Sequence, residues 1–248
     1  MSFNNTGKVW SVDAFAQYLK TIKPPAWAKA VCLHHTSSPA LNQRPNGFLA
    51  QHLENLKDYY SRQLGWHGAP HLFIDEDQAW GMNPLTETGV HASSFNRLAI
   101  GIEVLGDYDN EEPTKGRGLQ CWQTATAITK LLLDWLSLPV NDKTVLFHRD
   151  DPKTTKTCPG GKVGKAWVIN LIKNSSVPKT EPVSVSFSAL VPELEKKGYS
   201  SEEIKKGLKI SNGKVYWRDK WLEKAYYDKY TQTTFASTEE INLIEQNQ

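Results

Sequence analysis

Near the N-terminus, apolar positions recur at helical spacing. Val12, Phe15, Leu19 and Ile22 fall on one face, Ser11 stands where an N-cap is needed and Pro24-Pro25 stops the run, which predicts a first helix. The continuous run AVCLHH reads as a short buried strand ending in polar residues, so His34 and His35 sit at a strand end. Pro39 and LNQRPNG mark the loop that follows. From Phe48 to Leu64, Leu49, Leu53, Leu56 and Tyr60 line one face of a second helix closed by Gly65. HLFIDEDQAWGM gives two short extended pieces around an acidic turn, and LAIGIEVLG is an apolar run of strand length. Trp122, Ile128, Leu132 and Trp135 mark a long amphipathic helix, VLFHRD another strand and GKAWVINLIK another helix. Strands alternating with helices predict an α/β (mixed α+β) fold, a central mixed β-sheet covered by helices. Periodicity carries no strand order.

The pattern changes near residue 174. NSSVPKTEPVSVSF lacks a helical period and carries Pro178 and Pro182, so a first domain of residues 1–173 is expected to give way to a linker, 174–187. Residues 188–248 are expected to form a small α+β module, a candidate cell-wall binder. In it Ser200 and Glu203 suit a capping box and ISNGKVYW an Asn-Gly hairpin turn. A piece below about 70–80 residues has a thin core. Its aromatics Tyr199, Tyr216, Trp217, Trp221, Tyr226 and Tyr227 suit stacking on sugar rings and core filling equally.

Composition removes several classes of partner. With 29 basic and 27 acidic residues among 248, the net charge of +2 gives no reason to expect a nucleic acid, which needs a clustered basic surplus. The most apolar stretch, AITKLLLDWLSLPV, is broken by Lys130 and Asp134 and is too short to insert in a membrane. MSFNNTGKVW has neither a basic start nor an apolar core, so cytoplasmic synthesis without a signal peptide is expected. Three cysteines cannot all pair within one chain; Cys32 and Cys121, with apolar neighbours, are expected as core thiols. Cys158, between Thr157 and Pro159 in a loop, is the exception.

Cys158 directs attention to VLFHRDDPKTTKTCPGG, in which an apolar run ends in His148 and a cysteine follows ten positions later. A catalytic zinc takes three protein ligands and leaves a fourth position open. His34, His148 and Cys158 could supply them, since neighbouring strands can end at one sheet edge. On ligand chemistry alone the alternative stays open that these are two unrelated strand-end histidines and a passive thiol.

Four segments, in order, carry a resemblance to a known family. LHHTSS, HLFIDEDQAWGMN, GVHASSFNRLAIGIEVLG and HRDDPKTTKTCPG together resemble the zinc-dependent N-acetylmuramoyl-L-alanine amidases, which share a fold with peptidoglycan recognition proteins and certain phage lysozymes; the resemblance runs from about residue 8 to 173. It implies Zn2+ held by His34, His148 and Cys158, Glu103 as general base and Lys156 as an electrostatic stabiliser. It makes His91 a hydrogen-bond donor to substrate and matches Asn96, which also reads as a turn residue. Two departures stand out. Pro70 precedes His71 where some phage members carry a tyrosine, and Cys158 stands where recycling members with a comparable glutamate often have aspartate. His35, on the opposite face from His34, reads as structural and His71 as core or as a support behind the site; His52 and His67 draw no site role.

The resemblance implies hydrolysis of the amide between N-acetylmuramic acid and L-alanine in peptidoglycan, by a phage or prophage endolysin that reaches the cell wall after release; the sequence does not fix the oligomeric state, and a monomer is expected. The C-terminal extension favours that setting over a cytoplasmic amidase recycling soluble muropeptides. A non-catalytic peptidoglycan-binding protein is the third reading, against which stands the complete ligand set. A structural zinc would need His35 or His91 as a fourth ligand.

Overall fold

The computed structural model describes residues 3–175, 194–195, 198–211, 214–217, 220–228 and 233–235. The chain divides into two compact units, Met1–Pro178 and Lys179–Gln248. Most of the expected linker lies outside the described residues.

In the first unit the elements run β1 (Val9–Trp10), α1 (Val12–Lys20), β2 (Ala30–His35), α2 (Ala50–Asp58), β3 (Leu72–Ile74), β4 (Ala79–Gly81), β5 (Ala99–Val104), α3 (Gly116–Trp135), β6 (Val145–Phe147) and α4 (Lys165–Asn174). Ser11 caps α1 as its position predicts, its hydroxyl accepting from the Ala14 amide at 3.2 Å, while Phe15 and Leu19 are buried. The second helix is shorter than its apolar stripe. It starts at Ala50 because the Phe48 amide is given to Asp75 and the Leu49 amide to His52, and after Asp58 it widens into a π-turn, Tyr59–Gln63. Gly65, at φ +65°, lies just beyond Leu64, which ends that turn.

The sheet order is β1-β4-β3-β5-β2-β6, with β3, β5, β2 and β6 parallel, β4 antiparallel to β3, and β1 antiparallel to β4. This is the mixed sheet with helices that the alternation predicts. Its two faces differ. Val31, Leu33, Ile100, Ile102 and Val104 belong to the main core with Trp122, Ile128 and Leu132 of α3 and Val168 and Ile172 of α4. Ala30, Cys32 and Ala99 on the other face pack with Ala92 and Phe95 of the 91–98 segment. Two-residue alternation therefore places His34 and Glu103, which are register partners on β2 and β5, at the carboxyl edge of this second face. Crevices at the carboxyl ends of parallel strands are where open sheets of this kind hold ligands.

The acidic turn between β3 and β4 closes around Asp75. Its buried carboxylate accepts the Phe48 amide at 2.8 Å and the Trp80 indole N–H at 3.0 Å on one oxygen, and the Gln78 amide at 2.9 Å on the other. Burial pushes its pKa up to about 8 against the pull of these donors. Asp75→Ala is expected to lower unfolding stability by about 3–5 kcal/mol, since each buried donor left unsatisfied costs about 1–3 kcal/mol. Urea unfolding of the full chain measures it, and a change below about 1 kcal/mol contradicts this account of the turn.

The second unit holds α5 (Ser201–Gly207) and an antiparallel sheet in the order β10-β9-β8-β7, of β7 (Leu208–Ser211), β8 (Lys214–Trp217), β9 (Lys220–Asp228) and β10 (Thr233–Phe235). The capping box forms: the Ser200 amide donates to the Glu203 carboxylate at 2.8 Å, and the Glu203 amide to the Ser200 hydroxyl at 3.3 Å. Ser211 faces Lys214 across the β7/β8 pair, while the expected Asn-Gly turn, residues 212–213, lies outside the described residues. So do the side chains of the expected aromatics from Tyr216 to Tyr227; Tyr199 is half-buried.

Candidate metal centre

Three chain segments far apart in sequence meet at the edge of the second sheet face. His34 closes β2. His148 follows β6 directly, but the strand ends at Phe147 and not at Asp150 as VLFHRD suggests. The Phe147 amide donates to the Asp150 carboxylate at 2.7 Å, which bends His148–Asp150 into a single 3-10 turn. Cys158 enters from the following loop, fixed by the Arg149 amide donating to the Cys158 carbonyl at 2.9 Å.

His34 Nδ1 lies 3.1 Å from His148 Nδ1 and 3.7 Å from Cys158 Sγ, and all three ligand atoms fall within 4.8 Å of one another. A tetrahedral zinc with bonds of about 2.0–2.1 Å to nitrogen and 2.3 Å to sulfur separates two nitrogens by about 3.3 Å and a nitrogen from the sulfur by about 3.6 Å. The donor set fits such an ion. Burial lowers the pKa values of His34, well below its ordinary value, and of His148, so both rings offer lone pairs at neutral pH. Burial, then the nearby Glu103 carboxylate, raise the Cys158 thiol far above its usual range.

Glu103 stands beside this set, one carboxylate oxygen 3.9 Å from His34 Nδ1. Burial raises its pKa to about 8, opposed by the Lys156 cation. Lys156 itself is exposed on the Cys158 loop; besides Glu103, it acts electrostatically on His34, His148 and Cys158.

The other expected residues have different surroundings. His91 is not placed as a free donor: its Nε2 is 3.0 Å from the Ala99 carbonyl and its Nδ1 is 3.0 Å from His34 Nε2, so both ring nitrogens are engaged inside the protein. Asn96 spends its side-chain oxygen on the backbone amides of His91 and Ala92, at 2.7 and 2.9 Å. His35 faces away from the set and accepts the Tyr108 amide at 3.1 Å. His71 is buried, accepts the Gly101 amide at 3.0 Å and reaches the Glu87 carbonyl at 2.9 Å, which joins β3 to β5 and the 87–90 turn.

Two residues that shape the centre carried no signal in the sequence. The Arg149 guanidinium reaches the carbonyls of Thr157 at 3.1 Å and Gly160 at 2.9 Å and also that of Val163, and so gathers the Cys158 loop. Asp109 holds the same loop from the other side, accepting the Thr157 hydroxyl at 2.8 Å and the Gly161 amide at 2.7 Å. An arginine beside a histidine, or an aspartate in a polar loop, looks in sequence like any solvated charge.

Residues 24–161 match the family described as N-acetylmuramoyl-L-alanine amidase, a span that takes in His34, Glu103, His148 and Cys158. The chain belongs to this family. A curated relative of this N-acetylmuramoyl-L-alanine amidase family member, peptidoglycan-recognition protein 2 of Holotrichia diomphalia, is 26% identical over 107 residues, which are 42% of this chain and 54% of the relative. The chain thus spans about half the length of that relative. Among solved structures, the N-acetylmuramoyl-L-alanine amidase LysC from Clostridium intestinale is similar at 21% identity over 61% of this chain and 87% of its own, with a TM-score of 0.45. A point mutant of Drosophila PGRP-LB in complex with tracheal cytotoxin is similar at 23% identity over 63% and 84%, with a TM-score of 0.42. Among the described residues, no helix is long and apolar enough to cross a membrane.

Proposed function

We propose that this family member is a zinc-dependent N-acetylmuramoyl-L-alanine amidase that cleaves the amide between N-acetylmuramic acid and L-alanine in bacterial peptidoglycan, as the endolysin of a phage or prophage. The observation that supports it is the convergence of His34 Nδ1, His148 Nδ1 and Cys158 Sγ beside the Glu103 carboxylate. Zinc held by His34, His148 and Cys158 supplies Lewis acidity, which polarises a carbonyl and acidifies water. Glu103 takes the proton of the attacking water and returns it to the leaving amine. Lys156 places a cation where the carbonyl oxygen gains negative charge.

The ligand chemistry sets a pH dependence. The imidazoles of His34 and His148, held low, need lose no proton to bind metal at neutral pH, whereas the Cys158 thiol, held high, must give up its proton. Affinity should therefore rise with pH, with about one proton released per zinc at pH 7. Calorimetry in two buffers of different ionisation enthalpy measures that number, and zero protons contradicts thiolate ligation.

The reaction itself is tested by digesting purified sacculi and soluble muropeptides with the full chain, with and without chelator, and identifying products by mass spectrometry. New L-alanine amines on stem peptides beside intact glycan strands are expected from sacculi, with chelator abolishing them. Cleavage confined to soluble muropeptides points to the recycling setting. Binding without cleavage overturns the enzymatic reading.

A further inference from the structure

We propose that His91 is the positioning residue of the centre, holding the proposed ligand His34 in its Nε2–H tautomer through a direct imidazole–imidazole hydrogen bond. The inference deepens the zinc reading and rests on it for the identity of the ligand, but its argument is a chain of donors and acceptors that the protein fixes by itself.

The chain starts at the Ala99 carbonyl, 3.0 Å from His91 Nε2. A carbonyl oxygen only accepts, so His91 Nε2 carries the hydrogen. A neutral ring with its hydrogen on Nε2 presents Nδ1 as a bare lone pair. That lone pair lies 3.0 Å from His34 Nε2 and accepts a hydrogen bond from it, so the hydrogen between them belongs to His34. A neutral His34 with its hydrogen on Nε2 leaves Nδ1 unprotonated on the side of His148 and Cys158.

The backbone is built to seat this second ring. A Cβ on Gly101 would lie 2.5 Å from His91 Cγ and 2.7 Å from its Cδ2, so the ring occupies the space that only glycine leaves above β5. The backbone carrying His91 is tied down twice. Asn96 accepts the His91 and Ala92 amides, and the Ser94 amide donates to Asp151, the residue after the His148 turn, at 2.9 Å. The segment that carries the positioning ring is thereby anchored to the segment that carries another ligand.

A histidine that binds metal usually gives its other N–H to a carboxylate, a carbonyl or water. A neutral imidazole in that place fixes orientation without adding negative charge. Two neutral imidazoles and one thiolate then leave a divalent ion with a net charge of +1, which preserves its Lewis acidity.

The tautomer can be read directly by two-bond 1H–15N correlation on the metal-free protein. His34 is expected as Nε2–H; finding it as Nδ1–H overturns the proposal, with no variant required. His91→Phe fills the seat without either nitrogen, and His91→Gln offers an amide that can accept from His34 and donate to Ala99. Zinc affinity, measured by chelator competition, is expected to fall about 10–100-fold in His91→Phe and to recover to within about threefold of the parent in His91→Gln. A His91→Phe protein that binds zinc within about twofold of the parent also overturns it. If the parent binds no zinc, the ligand reading fails, while the tautomer of His34 still decides whether His91 positions it.

Discussion

Glu103→Gln is expected to bind zinc as the parent does and to lose about 10²–10⁴-fold in turnover, the usual cost of removing a general base. The substitution keeps size and shape at the sheet edge, and its carboxylate oxygen is 3.9 Å from the nearest ligand nitrogen, outside hydrogen-bond reach, so the ligand set should be undisturbed. Substrate binding should persist, because the loss falls on a proton transfer made in the transition state. Stability offers an independent check on the same residue. In the metal-free protein the folded-state pKa of about 8 lies above the ordinary 4.5, so ionising Glu103 in the folded protein is unfavourable and stability falls as pH rises from about 4.5 to 8. The glutamine variant lacks this penalty. With metal removed from both proteins, its thermal midpoint should match the parent's below about pH 4.5 and stand above it at about pH 8. Near-normal turnover in Glu103→Gln would move the base role elsewhere and leave the metal centre without this partner.

Removing a ligand should have the larger effect still. Cys158→Ser and His34→Ala are each expected to lose zinc at micromolar metal and, with it, detectable amide hydrolysis. Cys158→Ser is the cleaner test, because Arg149, Asp109 and the Cys158 carbonyl hold its loop through backbone and neighbouring groups, none of which involves the thiol. Its fold should survive and its far-ultraviolet spectrum should match the parent's. His34→Ala also strands the Nδ1 of His91, so some loss of stability should accompany the loss of metal. Metal analysis after dialysis separates the outcomes: a full complement of zinc in either variant contradicts the ligand assignment.

Much of the fold was legible in the sequence because its elements are amphipathic at their own period. The stripe Val12, Phe15, Leu19 became α1, and the continuous apolar runs 30–35 and 99–104 became the paired six-residue strands β2 and β5. Boundaries were less legible, since side chains set them from a distance. Asp75 takes the Phe48 amide ahead of α2, and Asp150 turns the chain at Phe147 before the expected strand is complete. Strand order is a tertiary property, so nothing local could announce that His34 and Glu103 are register partners. For the centre, residue type pointed to His34, His148 and Cys158, which the fold brings together. It could not distinguish a histidine that touches substrate from one like His91, whose two nitrogens are spent on a carbonyl and on another histidine. The glycine of Ile-Gly-Ile-Glu is visible in sequence, but its reason, the ring lying over Gly101, is visible only in three dimensions.

X-ray absorption at the zinc edge of the purified full chain tests the centre most directly. The account predicts one zinc per chain whose coordination shell contains two imidazole nitrogens and one sulfur, completed by a light atom that exchanges with solvent, and a sulfur that disappears with Cys158→Ser. A shell without sulfur, a shell closed by four protein ligands, or a protein that takes up no zinc would contradict it.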